Sequence, residues 1–169
     1  MNIKKALIIA PHIDDETLGC GGSIFKLKKM NKLVSCILVT EPSKKNNTAK
    51  KIEKKNKQIS KVKNFYKFNN YYRLGYEDAE LFKASETKLI NDFNRILKIE
   101  KPDTIFLPFY NDAHSDHRKI FETCQACLKI FRNNFIKNIL MMEVVSETDH
   151  SVLADAKNQK FNPNIYFDI

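Results

Sequence analysis

The chain predicts an α/β fold, with a mostly parallel sheet and helices packed on both of its faces in three layers. Three observations lead there. Short apolar runs alternate with longer helical patterns almost from end to end. The short runs are continuous rather than alternating in polarity, as strands buried on both faces are. The longer segments repeat apolar residues at helical spacing, most clearly through Leu89, Phe93, Ile96 and Leu97.

Taken in order, residues 6–10 read as a buried strand closed by Pro11, and a helix follows from about Thr17 to Met30, its entry marked by Gly19, Gly21 and Gly22. Residues 33–40 are rich in β-branched and apolar side chains and form a second strand. Residues 50–65 form a helix with Ile52, Ile59, Val62 and either Phe65 or Tyr66 facing inward. A short third strand covers 71–74, and an amphipathic helix covers 85–100 before Pro102 stops it. The next strand is 104–109, the next helix 116–131, and a further strand 139–145. The lysine- and asparagine-rich stretch 43–50 is the expected mobile loop.

A length of 169 residues with 43% hydrophobic content suits one domain, 1–169. The net charge of +9 is concentrated, because residues 44–67 hold ten lysines against the single acid Glu53, so the remainder sums to zero. Without arginine or spaced aromatics, that segment reads as a solvated helix face, not as a nucleic-acid site, and an anionic substrate remains compatible with it. Cys124 and Cys127 have a C-x-x-C spacing but share a helical stripe with Ile120, Leu128 and Phe131, which assigns them to the core. Nothing requires a disulfide, no segment is long enough to span a bilayer, and only five consecutive apolar residues lead into Pro11. A cytoplasmic protein is expected, with peripheral contact at the inner face of the membrane left open.

Three of the four histidines fall in two clusters, His12-Ile13-Asp14-Asp15-Glu16 and His114-Ser115-Asp116-His117. Each follows a predicted strand, and in open α/β sheets ligands bind beyond the carboxyl ends of the strands. His12 and Asp15 are close enough to reach one point, and His117 supplies a third ligand. Such a set leaves a coordination position open, as a catalytic zinc requires, and other divalent transition metals accept the same donors. Asp14 then suits a general base that takes a proton from water at the metal. His114 suits an imidazolium that stabilises an oxyanion and protonates a leaving amine, oriented by Asp116, which raises its pKa. Each cluster alone has a plainer reading. Asp14 or Asp15 can cap the following helix, and the second cluster can be a polar helix start. An alternative for the whole chain is a non-catalytic phosphate- or nucleotide-binding module using residues 19–23, although the glycine spacing fits neither G-x-G-x-x-G nor a P-loop.

Pro11-His12-Ile13-Asp14-Asp15-Glu16, then Leu18-Gly19-Cys20-Gly21-Gly22, and later His114-Ser115-Asp116-His117 together resemble the PIG-L/LmbE-like N-deacetylases. The resemblance implies a Rossmann-like fold and zinc-dependent removal of an acyl group, usually acetyl, from an amino-sugar derivative that is free, nucleotide-linked or lipid-linked. It implies His12, Asp15 and His117 as metal ligands, Asp14 as base, and His114 as acid or oxyanion stabiliser supported by Asp116. Leu74-Gly75-Tyr76-Glu77-Asp78 is similar to the family's segment beside the substrate pocket, which makes Arg73 and Asp78 the expected sugar contacts. It also implies a homo-oligomer. Ile13 stands where the family usually has proline, and the chain stops at Ile169 where relatives continue, so a C-terminally shortened domain is expected.

Overall fold

The computed structural model describes residues 1–42, 45, 47–129, 131–152 and 160–169. Five parallel strands form one sheet: β1 (Lys5–Ala10), β2 (Leu33–Glu41), β3 (Tyr71–Glu77), β4 (Thr104–Pro108) and β5 (Asn138–Met142), in the spatial order β3-β2-β1-β4-β5. The helices are α1 (Asp15–Lys29), α2 (Ala49–Tyr66), α3 (Glu86–Glu100), α4 (Ser115–Cys127) and the short α5 (Val145–Thr148), with a 3₁₀ turn at Leu81–Lys83. The predicted α/β class with helices on both faces is the fold observed, and the sheet is parallel throughout.

The alternation of side chains along each strand builds two cores. Leu7 and Ile9 of β1, Ile37 and Val39 of β2, and Ile105 and Leu107 of β4 pack against α3 and α4. Ala6, Ile8, Ala10, Val34, Cys36 and Phe106 face the other way, onto Cys20, Ile24 and Leu27 of α1 and Tyr66 of α2. On α3 the predicted stripe of Leu89, Phe93, Ile96 and Leu97 is wholly buried, each contributing about 1.5–3 kcal/mol of apolar burial. Ser85 caps this helix, its hydroxyl accepting from the Lys88 N–H.

Several boundaries differ from the sequence reading. The helix expected over 116–131 ends at Cys127, so Ile120, Cys124, Cys127 and Leu128 are buried while Phe131 is 79% exposed. On α2 the inward aromatic is Tyr66, and Phe65 is 71% exposed. The last strand is shorter than 139–145 and gives way to α5, and β3 runs past Leu74 to Glu77. The expected loop at 43–50 lies partly outside the described residues. The glycines of α1 serve packing: a Cβ on Gly21 would stand 2.7 Å from the Tyr66 hydroxyl, and one on Gly19 would stand 2.9 Å from Met142. The helix is kinked at Cys20 (φ −151°, ψ 23°), inside the stretch 19–23 that the alternative reading gave to phosphate. Among the described residues, no helix is long and apolar enough to cross a membrane.

Candidate metal centre and active site

The strand order places β1 and β4 side by side at the centre of the sheet, with the chain leaving them in opposite directions. This is the topological switch point, where the loops beyond the strands part to leave a crevice. His12 follows β1, and His114 and His117 follow β4, so two clusters far apart in sequence meet there. The turn after β1 is held by Thr40, whose backbone N–H and hydroxyl both donate to the Pro11 carbonyl, at 2.9 and 2.8 Å. Asp14 sits in the left-handed region, φ 94° and ψ −20°, unusual for a residue with a Cβ. Its carbonyl accepts from the N–H groups of Thr17 and Leu18, but its side chain makes no capping hydrogen bond. The capping reading of the two aspartates therefore fails, because the Asp15 carboxylate is turned back onto the His12 N–H at 2.7 Å.

Three donor atoms converge. His12 Nδ1 is 3.4 Å from Asp15 Oδ2, His117 Nε2 is 3.2 Å from the same oxygen, and the two ring nitrogens are 3.3 Å apart. Ligands about 2.0–2.1 Å from one zinc at tetrahedral angles stand about 3.3 Å from each other, so the triangle fits the ion the sequence suggested. The outer ring nitrogens fit as well. His12 Nε2 lies 3.1 Å from Asp116 Oδ2, and His117 Nδ1 lies 2.8 Å from Asp112 Oδ2. With an ion bound, each carboxylate would hold its histidine with the proton on the outer nitrogen and the lone pair facing the centre.

The electrostatics of the site attract positive charge. Burial would lower the His12 pKa, but the Asp116 and Asp15 carboxylates outweigh it and raise the value to about 10. His117 is likewise raised to about 9, burial being overcome by Asp112 and Asp15. Asp15 is held well below the usual carboxylate range, since the two imidazoles outweigh its burial. Asp14 moves the other way, pushed up by burial and by the neighbouring charge of Asp15.

His114 and Asp116 are related differently from the expected pairing. His114 caps α4, its Nδ1 accepting from the Asp116 backbone N–H at 3.1 Å, which leaves the proton on Nε2. The Asp116 carboxylate instead serves His12 and the N–H groups of Ala79 and Leu81, at 2.8 and 3.2 Å. Burial and the nearby His12 hold the His114 pKa below its ordinary value against the pull of Asp116. Its ring centroid lies 4.4 Å from that of His12.

A cavity of about 120 Å³ opens beside these groups, lined among others by His12, Asp14, Glu41, Lys55, Gln58 and Asp78. Asp78 lines the cavity, its Oδ1 3.4 Å from His12 Nε2. Arg73 does not line the cavity. It is held by Glu41 through two 2.6 Å hydrogen bonds and by Asn56 at 2.9 Å, so it braces Glu41, which lines the cavity. Sequence reasoning missed Asp112, Lys55 and Gln58. Only Asp112 carries a local signal, as an acid two residues before the second histidine cluster.

The chain is similar to solved structures with this architecture. The N,N'-diacetylchitobiose deacetylase of Pyrococcus horikoshii matches with a TM-score of 0.66 at 27% identity, over 76% of this chain and 51% of that one. The chain thus spans about half the length of that relative. The A40926 pseudoaglycone deacetylase matches with a TM-score of 0.68 at 14% identity, over 96% of this chain and 71% of that one. The 4-carboxy-2-hydroxymuconate hydratase of Pseudomonas putida shares the fold at 12% identity and a TM-score of 0.60, over 73% and 55% of the two chains. The fold alone therefore hosts more than one reaction. The sequence family described as PIG-L, GlcNAc-PI de-N-acetylase, matches residues 7–128, which include both histidine clusters and the strands that carry them, and the chain belongs to that family.

Proposed function

We propose that the protein is a metal-dependent N-deacetylase that removes an acetyl or related acyl group from an amino-sugar derivative. His12, Asp15 and His117 hold zinc or another divalent transition metal. The observation that carries this reading is the triangle of donor atoms with sides of 3.2–3.4 Å, each histidine backed by its own carboxylate. Membership of a family named for a de-N-acetylase supports the reaction class.

A divalent ion bound there supplies Lewis acidity, polarising the amide carbonyl and making water a better nucleophile. The chain's own groups do the rest. Asp14 lines the cavity with a pKa raised by burial, which suits it to take a proton from the attacking water. As the new C–O bond forms and the C–N bond breaks, the departing nitrogen needs a proton. Asp14 returns to it the proton taken from the water, because the His114 ring, with Nδ1 accepting from the Asp116 N–H, would be left an anion by giving up its Nε2 proton. The His114 Nε2–H instead steadies the carbonyl oxygen while it bears charge. Asp78 at the cavity wall accepts hydrogen bonds from sugar hydroxyls, and Lys55 and Gln58 border the same space.

The reading is tested by the metal content of purified protein and of His117→Ala, with acetate release measured on N-acetylglucosamine derivatives. About one divalent ion per chain, lost in His117→Ala, with acetate release lost in step, is the expected result. Wild-type protein that takes up no ion after zinc loading, or His117→Ala that keeps full occupancy, overturns the site.

A further inference from the structure

The lysine-rich segment is absorbed neither by the core nor by the metal centre. On α2 the buried side is set by Ile59 and Tyr66, and at 100° per residue Lys50, Lys54, Lys57 and Lys61 all fall on the opposite side, in one stripe continued by Phe65. All four lysines are exposed. Among the described residues only Lys57 of the four has an acidic partner, Glu53 at 2.7 Å.

A stripe of cations ending in an exposed aromatic ring is more than a solvated face requires. The geometry points to a docking surface for an anionic phospholipid bilayer, with the α2 lysines at the headgroups and Phe65 dipping below them. Two features favour a bilayer over nucleic acid. The charge is all lysine, which meets phosphate as a point charge without the planar fork suited to reading bases. The aromatic stands at the end of the stripe instead of interleaving with the cations as a stacking platform does. A lysine near an anionic leaflet contributes about a fivefold gain in affinity, so four of them with one inserted ring support reversible attachment. This surface is independent of the metal chemistry proposed above.

The test is co-sedimentation of the full chain with vesicles of neutral phosphatidylcholine, alone or with about one-third phosphatidylglycerol, at low and high salt. Lys54→Glu/Lys61→Glu and Phe65→Ser serve as variants, and a double-stranded DNA shift assay runs alongside. These residues are exposed and outside the metal centre, so circular dichroism and metal content should match wild type. Expected is binding to anionic vesicles only, weakened by salt, reduced at least 25-fold by the charge reversals and several-fold by Phe65→Ser. No sedimentation with anionic vesicles at low salt, binding unchanged in either variant, or retention by DNA in place of vesicles overturns the proposal.

Discussion

His117 Nδ1 and Asp112 Oδ2 lie 2.8 Å apart with both side chains wholly buried, and the other oxygen of Asp112 accepts from the Thr148 hydroxyl at 2.7 Å. The orientation of one histidine is therefore set from α5, beyond the last strand. Asp112→Asn keeps the shape but weakens the acceptor, and it should lower zinc affinity about 10- to 100-fold. Competition with a chromophoric chelator measures this, and unchanged affinity would assign Asp112 a packing role only.

Asp14 lines the cavity without belonging to the donor triangle. Asp14→Asn should therefore retain about one metal ion per chain and lose about 10²- to 10⁴-fold in kcat. Turnover within a few-fold of wild type, with metal in place, would take the base role from this residue.

Chelator-treated protein should respond to pH through the two buried histidines. Their folded pKa values, about 10 and about 9, lie above the unfolded value of about 6.5. The folded state then binds more protons than the unfolded chain between those limits, so stability from these groups is full below about pH 6.5 and is lost as pH rises through 9–10. Zinc affinity should run the opposite way, increasing with pH as protons cease to compete for the same nitrogens. Urea midpoints from pH 6 to 10, with and without zinc, check both signs. A metal-free protein that gains stability over that range would contradict the arrangement.

Gly21 faces the Tyr66 hydroxyl where a Cβ would stand at 2.7 Å, while the ring carbon bearing that hydroxyl is 3.8 Å away. Gly21→Ala should destabilise the protein by about 1–3 kcal/mol despite its better helix propensity. Adding Tyr66→Phe removes the clashing atom and should restore most of the loss, a coupling that a double-mutant cycle in urea reads directly. Independent, additive effects would show that α1 shifts to accommodate the methyl group.

What the sequence disclosed and what it hid follow one physical division. Strand runs and both histidine clusters are local patterns, and the end of a parallel strand is already a position relative to the crevice, so the convergence of His12, Asp15 and His117 was legible. The Arg73–Glu41 pair was hidden because Glu41 lies on the neighbouring strand, and no spacing along one strand reports what stands across from it. The contact of Asp116 with His12 was hidden for the same reason, since His12 is 104 residues away. Phe131 was assigned to the core by extending a periodic pattern past Cys127, where the helix had already stopped.

The two ring nitrogens 3.3 Å apart belong to residues separated by 105 positions, and the strands beneath them, β1 and β4, are direct neighbours in the sheet. Half a site therefore has no meaning in this chain. A nascent polypeptide leaving the ribosome presents His12 early, but the metal pocket does not exist until α4 has been made and β4 has closed against β1. The donor triangle is complete only in a chain synthesised through α4, and a chain halted before that point carries one arm of it alone.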